Sequence, residues 1–218
     1  MIVMGVFAAL ALITPFLDLF LQSLVTEILV FGILAMSLDI LLGFTGLASL
    51  GHAAYFGVAS YASAIIMTKQ SWTVTYAIFT WTDSSGLGLF YLFIIGVLVA
   101  VAFAVLFGFL AIRAKDVYFL MITLSLAMVV WGLAYRWSAV TEGDNGIIVP
   151  GRPSLFGISL EEGLPFFYFT LAVFLLCLGV IYLITRSPFG RTLVGIRERE
   201  ERMEMLGYNI WLHKYLAF

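Results

Sequence analysis

Apolar residues run along this chain in stretches of roughly 20, the length that crosses a bilayer core, separated by short clusters of polar and charged positions. The pattern predicts helices at about 1–20, 24–42, 48–67, 88–112, 117–137 and 164–185. The expected fold class is therefore all-α: a polytopic integral membrane protein of about six transmembrane helices, with 1–218 forming a single transmembrane domain. One stretch breaks the pattern. Gly43, Thr45, Gly46, Ser49, Gly51 and His52 put glycines, hydroxyls and an imidazole between apolar segments. Irregular backbone survives at membrane depth only where protein or a wet cavity satisfies its N–H and C=O groups, so a Gly-rich broken segment beside a transport path is expected here.

Composition supports the membrane reading, with 63% hydrophobic and 11% charged residues among 218, which leaves no separate soluble domain. A net charge of −2 without a basic patch speaks against nucleic acid as a partner. The single cysteine, Cys177, sits in an apolar run, so it reads as a small hydrophobe; neither an internal disulfide nor a metal cluster is expected. The N-terminus lacks the basic region of a cleavable signal peptide, so the first stretch is expected to stay as a span.

Basic residues fix the expected orientation. Arg113, Lys115, Arg186, Arg191, Arg197, Arg199, Arg202 and Lys214, eight of the eleven, fall in 113–116 and 186–214, which makes both cytoplasmic by the positive-inside rule. Segments 68–87 and 138–163 are then extracytoplasmic, where only Lys69 and Arg152 are basic and Asp83, Glu142, Asp144, Glu161 and Glu162 gather. Trp72, Trp81, Trp131, Tyr135 and Trp137 suit interfacial positions. The N-terminus is inside if 43–67 crosses fully and outside if that segment is re-entrant.

Within the broken segment Ser49, Ala53 and Gly57 share one helical stripe, with Ser60 and Ala64 on a neighbouring one, a pattern that lets another helix approach closely. His52 is an ionisable group inside the membrane, with Asp39 its nearest acidic neighbour in sequence. Two readings stay open for it: a polar member of a path or proton relay, or a ring that hydrogen-bonds a carbonyl. Asp18 and Glu27 lie near span ends, where snorkelling explains them.

The segment from Ser187 to Lys214 predicts one amphipathic helix over about 191–206. Ser187 can cap it with Pro188 in the first turn, Gly207 can terminate it, and Arg197/Glu201 and Glu198/Arg202 are i,i+4 pairs opposite an apolar stripe of Leu193, Ile196, Met203 and Leu206. It either lies on the inner leaflet or docks a protein, and its mixed charges favour the protein. No Gly-x-x-x-x-Gly-Lys-Ser/Thr loop is present, so nucleotide chemistry would have to come from other subunits. With His52 and His213 as the only histidines, and no Gly-x-Ser-x-Gly or His-Glu-x-x-His, an intramembrane hydrolase finds no support.

Four patches, in this order and spacing, resemble the branched-chain amino acid permeases of ATP-binding-cassette importers, the LivM-type subunit: Ser37 to Gly57, Asp116 to Leu124, Thr141 to Gly146, and Ser187 to Arg191 followed by Glu201 to Gly207. The resemblance implies a homologous second permease subunit, two cytoplasmic ATPase subunits that use ATP, and an extracytoplasmic solute-binding protein. No cofactor or metal is expected on this chain itself. By the same resemblance Asp39, Thr45, Ser49, His52 and Gly57 are path candidates, Thr141, Asp144 and Asn145 outer-loop candidates, and 186–214 is the coupling loop. Gly190, Arg191, Arg197, Glu198, Glu201, Glu204 and Gly207 are its ATPase-coupling candidates. Members often have Gln at Leu47, Ala at Met203 and a second Gly at Glu142, and they continue with further spans past Phe218. An ion-coupled carrier with Asp39 and His52 as proton relay is the alternative from another class.

Overall fold

Hydrophobic patterning alone places the helices; tertiary contact decides how they pair. The computed structural model describes residues 7, 10–68, 87–114, 116–149, 160 and 163–218. Much of the stretch expected at 1–20, the expected outer segment with Trp72, Trp81, Lys69 and Asp83, and Lys115, Arg152, Glu161 and Glu162 lie outside the described residues.

Among the described residues there is no strand. The long helices are α1 (Leu19–Asp39), α2 (His52–Thr68), α3 (Leu87–Ala111), α4 (Asp116–Arg136) and α5 (Gly163–Arg186). Four segments among the described residues are long and apolar enough to cross a membrane: Leu19–Phe44, Tyr91–Ala111, Val117–Arg136 and Gly163–Arg186. With 17 residues, α2 sits at the short end of what spans. The helix expected from residue 48 begins only at His52, because the chain from Ala48 to Gly51 is held in irregular backbone against α4. The first expected stretch is likewise cut short: Pro15 sits in a 3-10 turn, Thr14–Phe16, and Leu17 and Asp18 are extended, so α1 starts at Leu19 rather than at about 24.

Two helix pairs carry the packing. Helices α1 and α5 run side by side and parallel, with Leu29, Phe167, Leu171 and Phe174 in one buried cluster. Gly32 allows this approach, since a Cβ there would stand 2.9 Å from the Phe174 ring. Helices α2 and α3 run antiparallel, and their contact corrects the expected small-residue stripe. The close approach uses Ala59 and Ser63 against Gly96, where a Cβ would meet Ser63 Oγ at 3.0 Å, whereas a Cβ at Gly57 would have nothing within 4 Å among the described residues and Ala53 is exposed. Periodicity reveals a face of small residues but not which member touches a partner.

The surface is inverted relative to a water-soluble fold. Large apolar side chains such as Phe16, Leu98, Val129 and Leu176 point outward, while Thr14, Gln22, Thr26, Thr45, Thr123, Thr170 and Thr192 are buried. The buried threonines spend their hydroxyls on carbonyls one turn back, as Thr26 does on Gln22 (2.7 Å) and Thr170 on Phe166 (2.9 Å). That arrangement suits hydrocarbon surroundings, where exposed apolar area costs nothing and every polar group needs an internal partner. Trp131 and Tyr135 stack at 5.4 Å near the far end of α4, consistent with an interfacial belt.

At that end Glu142 adopts φ 60°, a left-handed conformation that costs a side chain with a Cβ about 1–2 kcal/mol. Glu142→Gly should raise the melting temperature in detergent by a few degrees, up to about 1 kcal/mol once the freer unfolded chain is counted, whereas Glu142→Ala should not.

Candidate functional site

The interruption after α1 is resolved carbonyl by carbonyl. The helix loosens into a π turn, Ile40–Phe44, and Gly46 follows at φ 74°. Leu41 O accepts the Leu47 N–H at 3.1 Å and also the Thr45 hydroxyl, Leu42 O accepts the Gly46 N–H at 3.2 Å, and Gly43 O accepts Nη1–H of Arg197. Leu41, Thr45 and Leu47 are all buried. Farther on, the Leu50 N–H donates to Thr123 Oγ1 of α4 at 3.3 Å, and Gly51 comes so near α4 that a Cβ would be 2.5 Å from the Thr123 carbonyl oxygen. The irregular segment is thus stitched to α4 on one side and to Arg197 on the other.

His52 opens α2, and its Nε2 lies 2.9 Å from Ser37 Oγ. The Ser37 hydroxyl donates to the Leu34 carbonyl at 2.7 Å, which leaves its oxygen to accept from an Nε2–H tautomer. His52 Nδ1 and Ser49 Oγ are buried without a hydrogen-bond partner among the described residues. Asp39 is elsewhere: it is exposed, with its carboxylate over Gly43, where a Cβ would be 2.6 Å from Oδ1. Ser37 and Asp39 are two residues apart on one helix and so point to different faces. The expected Asp39–His52 relay is therefore not assembled; Ser37, which the sequence reading passed over, is the imidazole's partner. Of the outer-loop candidates, Thr141 is buried, its hydroxyl 2.5 Å from Ala134 O and 2.9 Å from Trp137 O, while Asp144 and Asn145 are exposed on a 3-10 turn.

The amphipathic segment is two helices, not one: α6 (Pro188–Glu198) and α7 (Glu200–Met205), separated by Arg199 at φ −153°, ψ 101°. Its start and stop follow the sequence signals. Ser187 Oγ accepts the Gly190 N–H at 3.3 Å with Pro188 in the first turn, and Gly207 at φ 87° closes α7, its N–H on Glu204 O (2.9 Å) and that of Tyr208 on Met203 O (3.1 Å). Gly190 is tied to its place: a Cβ would be 2.5 Å from Thr185 O. The interior of the segment differs from expectation. The pairs Arg197/Glu201 and Glu198/Arg202 straddle the break at Arg199, and the ion pair formed is Glu200 with Lys214 of a further helix, α8 (Ile210–Ala217). The apolar stripe is split too: Leu193 and Ile196 are buried, Met203 folds over Gly195, and Leu206 is 67% exposed beside Met205. The break at Arg199 goes with two other contacts, the buried Lys214 on the half-exposed Glu200 carboxylate and Met203 over Gly195. Arg191, Glu198, Glu201 and Glu204 are exposed.

Between the break and α6–α7 lies a cavity of about 520 Å³ bordered by Thr45, Gly46, Arg197, Arg199, Glu200 and Lys214. The cavity brings neighbouring residues of the break against a cluster much later in the chain, which is why no local motif announced it.

Fold and site together define a multi-pass α-helical membrane protein whose intramembrane break is bound to a charged amphipathic unit at one end of the bundle. The chain belongs to the family described as branched-chain amino acid transport system / permease component, whose model matches residues 20–218. It is 26% identical, over 90% of its length, to the high-affinity branched-chain amino acid transport system permease protein LivM of Escherichia coli (strain K12), and equally to the protein of that name from Salmonella typhimurium (strain LT2). It spans about half the length of these curated relatives, 48% of each. No solved structure matches the chain.

The stitched segment makes opposite expectations for two glycines. Gly51→Ala should lower the melting temperature by several degrees, as its methyl must displace backbone at Thr123, whereas Gly57→Ala, in open space within a helix, should leave it unchanged or slightly raised. Thermal denaturation in detergent checks both.

Proposed function

We propose that the chain is the permease subunit of an ATP-binding-cassette importer that carries branched-chain amino acids, or a similar small amphipathic solute, across the cell (inner) membrane. The family match over residues 20–218 carries this reading, and the amphipathic unit lodged against the intramembrane break supports it. In it, the chain binds no cofactor. Two cytoplasmic ATPase subunits hydrolyse ATP, a homologous second permease subunit completes the path, and an extracytoplasmic solute-binding protein delivers the solute. Residues 113–116 and 186–214 are cytoplasmic, and 68–87 and 138–163 face outside. Thr45, Ser49 and His52 border the path; Asp144 and Asn145 present polar groups to the solute-binding protein; Arg191, Glu198, Glu201, Glu204 and the turn at Gly207 face the ATPases. ATP-driven motion of the partners displaces α6 and α7 and rocks the spans between two arrangements, with contacts that differ between them supplying the bias. Nothing favours the ion-coupled alternative: His52 bonds Ser37 rather than Asp39, whose carboxylate lies over Gly43.

Uptake by the assembled complex in vesicles should stop when ATP is depleted while the proton gradient is held; uptake that continues would sink the proposal. The partner-facing turn is checked separately. Gly207 has open space around it, so a substitution there acts through φ 87° alone. Gly207→Val should insert normally yet lose most ATPase association in pull-down, while Gly207→Asn, which tolerates the left-handed region, should retain it.

A further inference from the structure

Arg197 is on the amphipathic unit and exposed, but its side chain lies against the break that follows α1. Its Nη1–H donates to the Gly43 carbonyl, and its Cγ packs on Gly46, where a Cβ would be 3.1 Å away. A single residue of α6 thereby holds both glycines that frame the π-turn exit from α1. The rest of α6 is firmly seated, with Leu193 and Ile196 fully buried and Gly190 pressed on the last carbonyls of α5. On its other side α6 connects to α7 through the single extended residue Arg199. Among the described residues, the guanidinium is the polar hold of this seated helix on the break.

We propose that Arg197 is the positioning residue that transmits displacement of α6 to the broken segment Gly43–Gly46, rather than a contact to the ATPase. The proposal rests on the permease reading above. Its chemistry is particular to arginine. The guanidinium supplies a directional, charge-assisted hydrogen bond to the carbonyl, and the methylene stem fits against a glycine whose φ of 74° disfavours most residues that carry a Cβ.

The test uses the complete transporter in proteoliposomes, measuring subunit association, ATP hydrolysis by the partner subunits, and solute uptake per ATP. Arg197→Met keeps the stem and removes the donor; it should leave association and hydrolysis within about twofold of the parent while uptake per ATP falls at least about tenfold. Gly46→Ala attacks the same contact from the other side and should uncouple in the same way. A reporter independent of transport is a cysteine at Ala48 in a Cys177→Ala background, whose labelling by a small thiol reagent should respond to a non-hydrolysable ATP analogue in the parent and cease to respond with Arg197→Met. Unchanged uptake per ATP together with an unchanged labelling response in Arg197→Met would overturn the link. Loss of ATPase association in that variant would also overturn it, by making Arg197 a docking residue. Absence of ATP-dependent uptake in the unsubstituted complex would instead remove the permease reading itself.

Discussion

A backbone amide or carbonyl in hydrocarbon has no water to turn to, and leaving one unpaired costs several kcal/mol. This chain accepts an irregular stretch between α1 and α2, and the residues around it are largely explained by that single demand. Thr45 and the Leu47 amide both serve Leu41 O, Thr123 serves the Leu50 amide, and Arg197 serves Gly43 O. Where no donor is supplied, side chains are omitted: Gly51 lets the backbone lie directly on α4.

The two helix pairs and the break play different mechanical parts. Parallel α1/α5 and antiparallel α2/α3 are knit by interdigitated aliphatic and aromatic side chains at glycine-sized gaps, and such contacts resist sliding. The break is held by a few discrete hydrogen bonds, which can exchange one partner for another. Seating α6 on the end of α5 and against the break places the amphipathic unit at the one point where a rigid pair and a rearrangeable segment meet.

What was legible in the sequence was local: helix runs, caps and terminators. Runs of apolar residues gave the helices, Ser187 and Pro188 gave the start of α6, and Gly207 gave a left-handed stop, because caps and terminators depend on residues within a turn of one another. The Gly-rich interruption was also visible, as was its partial irregularity. Pairing was not. Ser37 and His52 are 15 residues apart, Leu50 and Thr123 are 73 apart, and Gly43 and Arg197 are 154 apart, so no spacing rule connects them. The charged helix differs from expectation for a related reason: i,i+4 pairs and a continuous stripe are local preferences worth a few tenths of a kcal/mol each, whereas the structure breaks the helix at Arg199 and pairs the half-exposed Glu200 with the buried Lys214. Gly57 drew notice as a small residue on a helix, yet Gly96, in a stretch too apolar to stand out, makes the contact.

The arginines have a second consequence, which concerns the helix dipoles. A helix carries about half a negative charge at its C-terminus, and a cation there contributes roughly 0.3–1 kcal/mol when exposed. Arg113 stands two residues past the end of α3, Arg136 ends α4, Arg186 ends α5, and Arg197, borrowed from α6, donates to Gly43 O in the π turn that continues α1. Arg113 and Arg186 also fold back on rings of their own helices, Phe109 at 4.4 Å and Tyr182 at 4.5 Å. Because three of these four helices end at the same side of the bundle, neutralising their C-termini concentrates positive charge there. Part of the clustering of arginines at that end thus follows helix direction, and Arg136, at the opposite side, is the same rule applied to the helix that runs the other way.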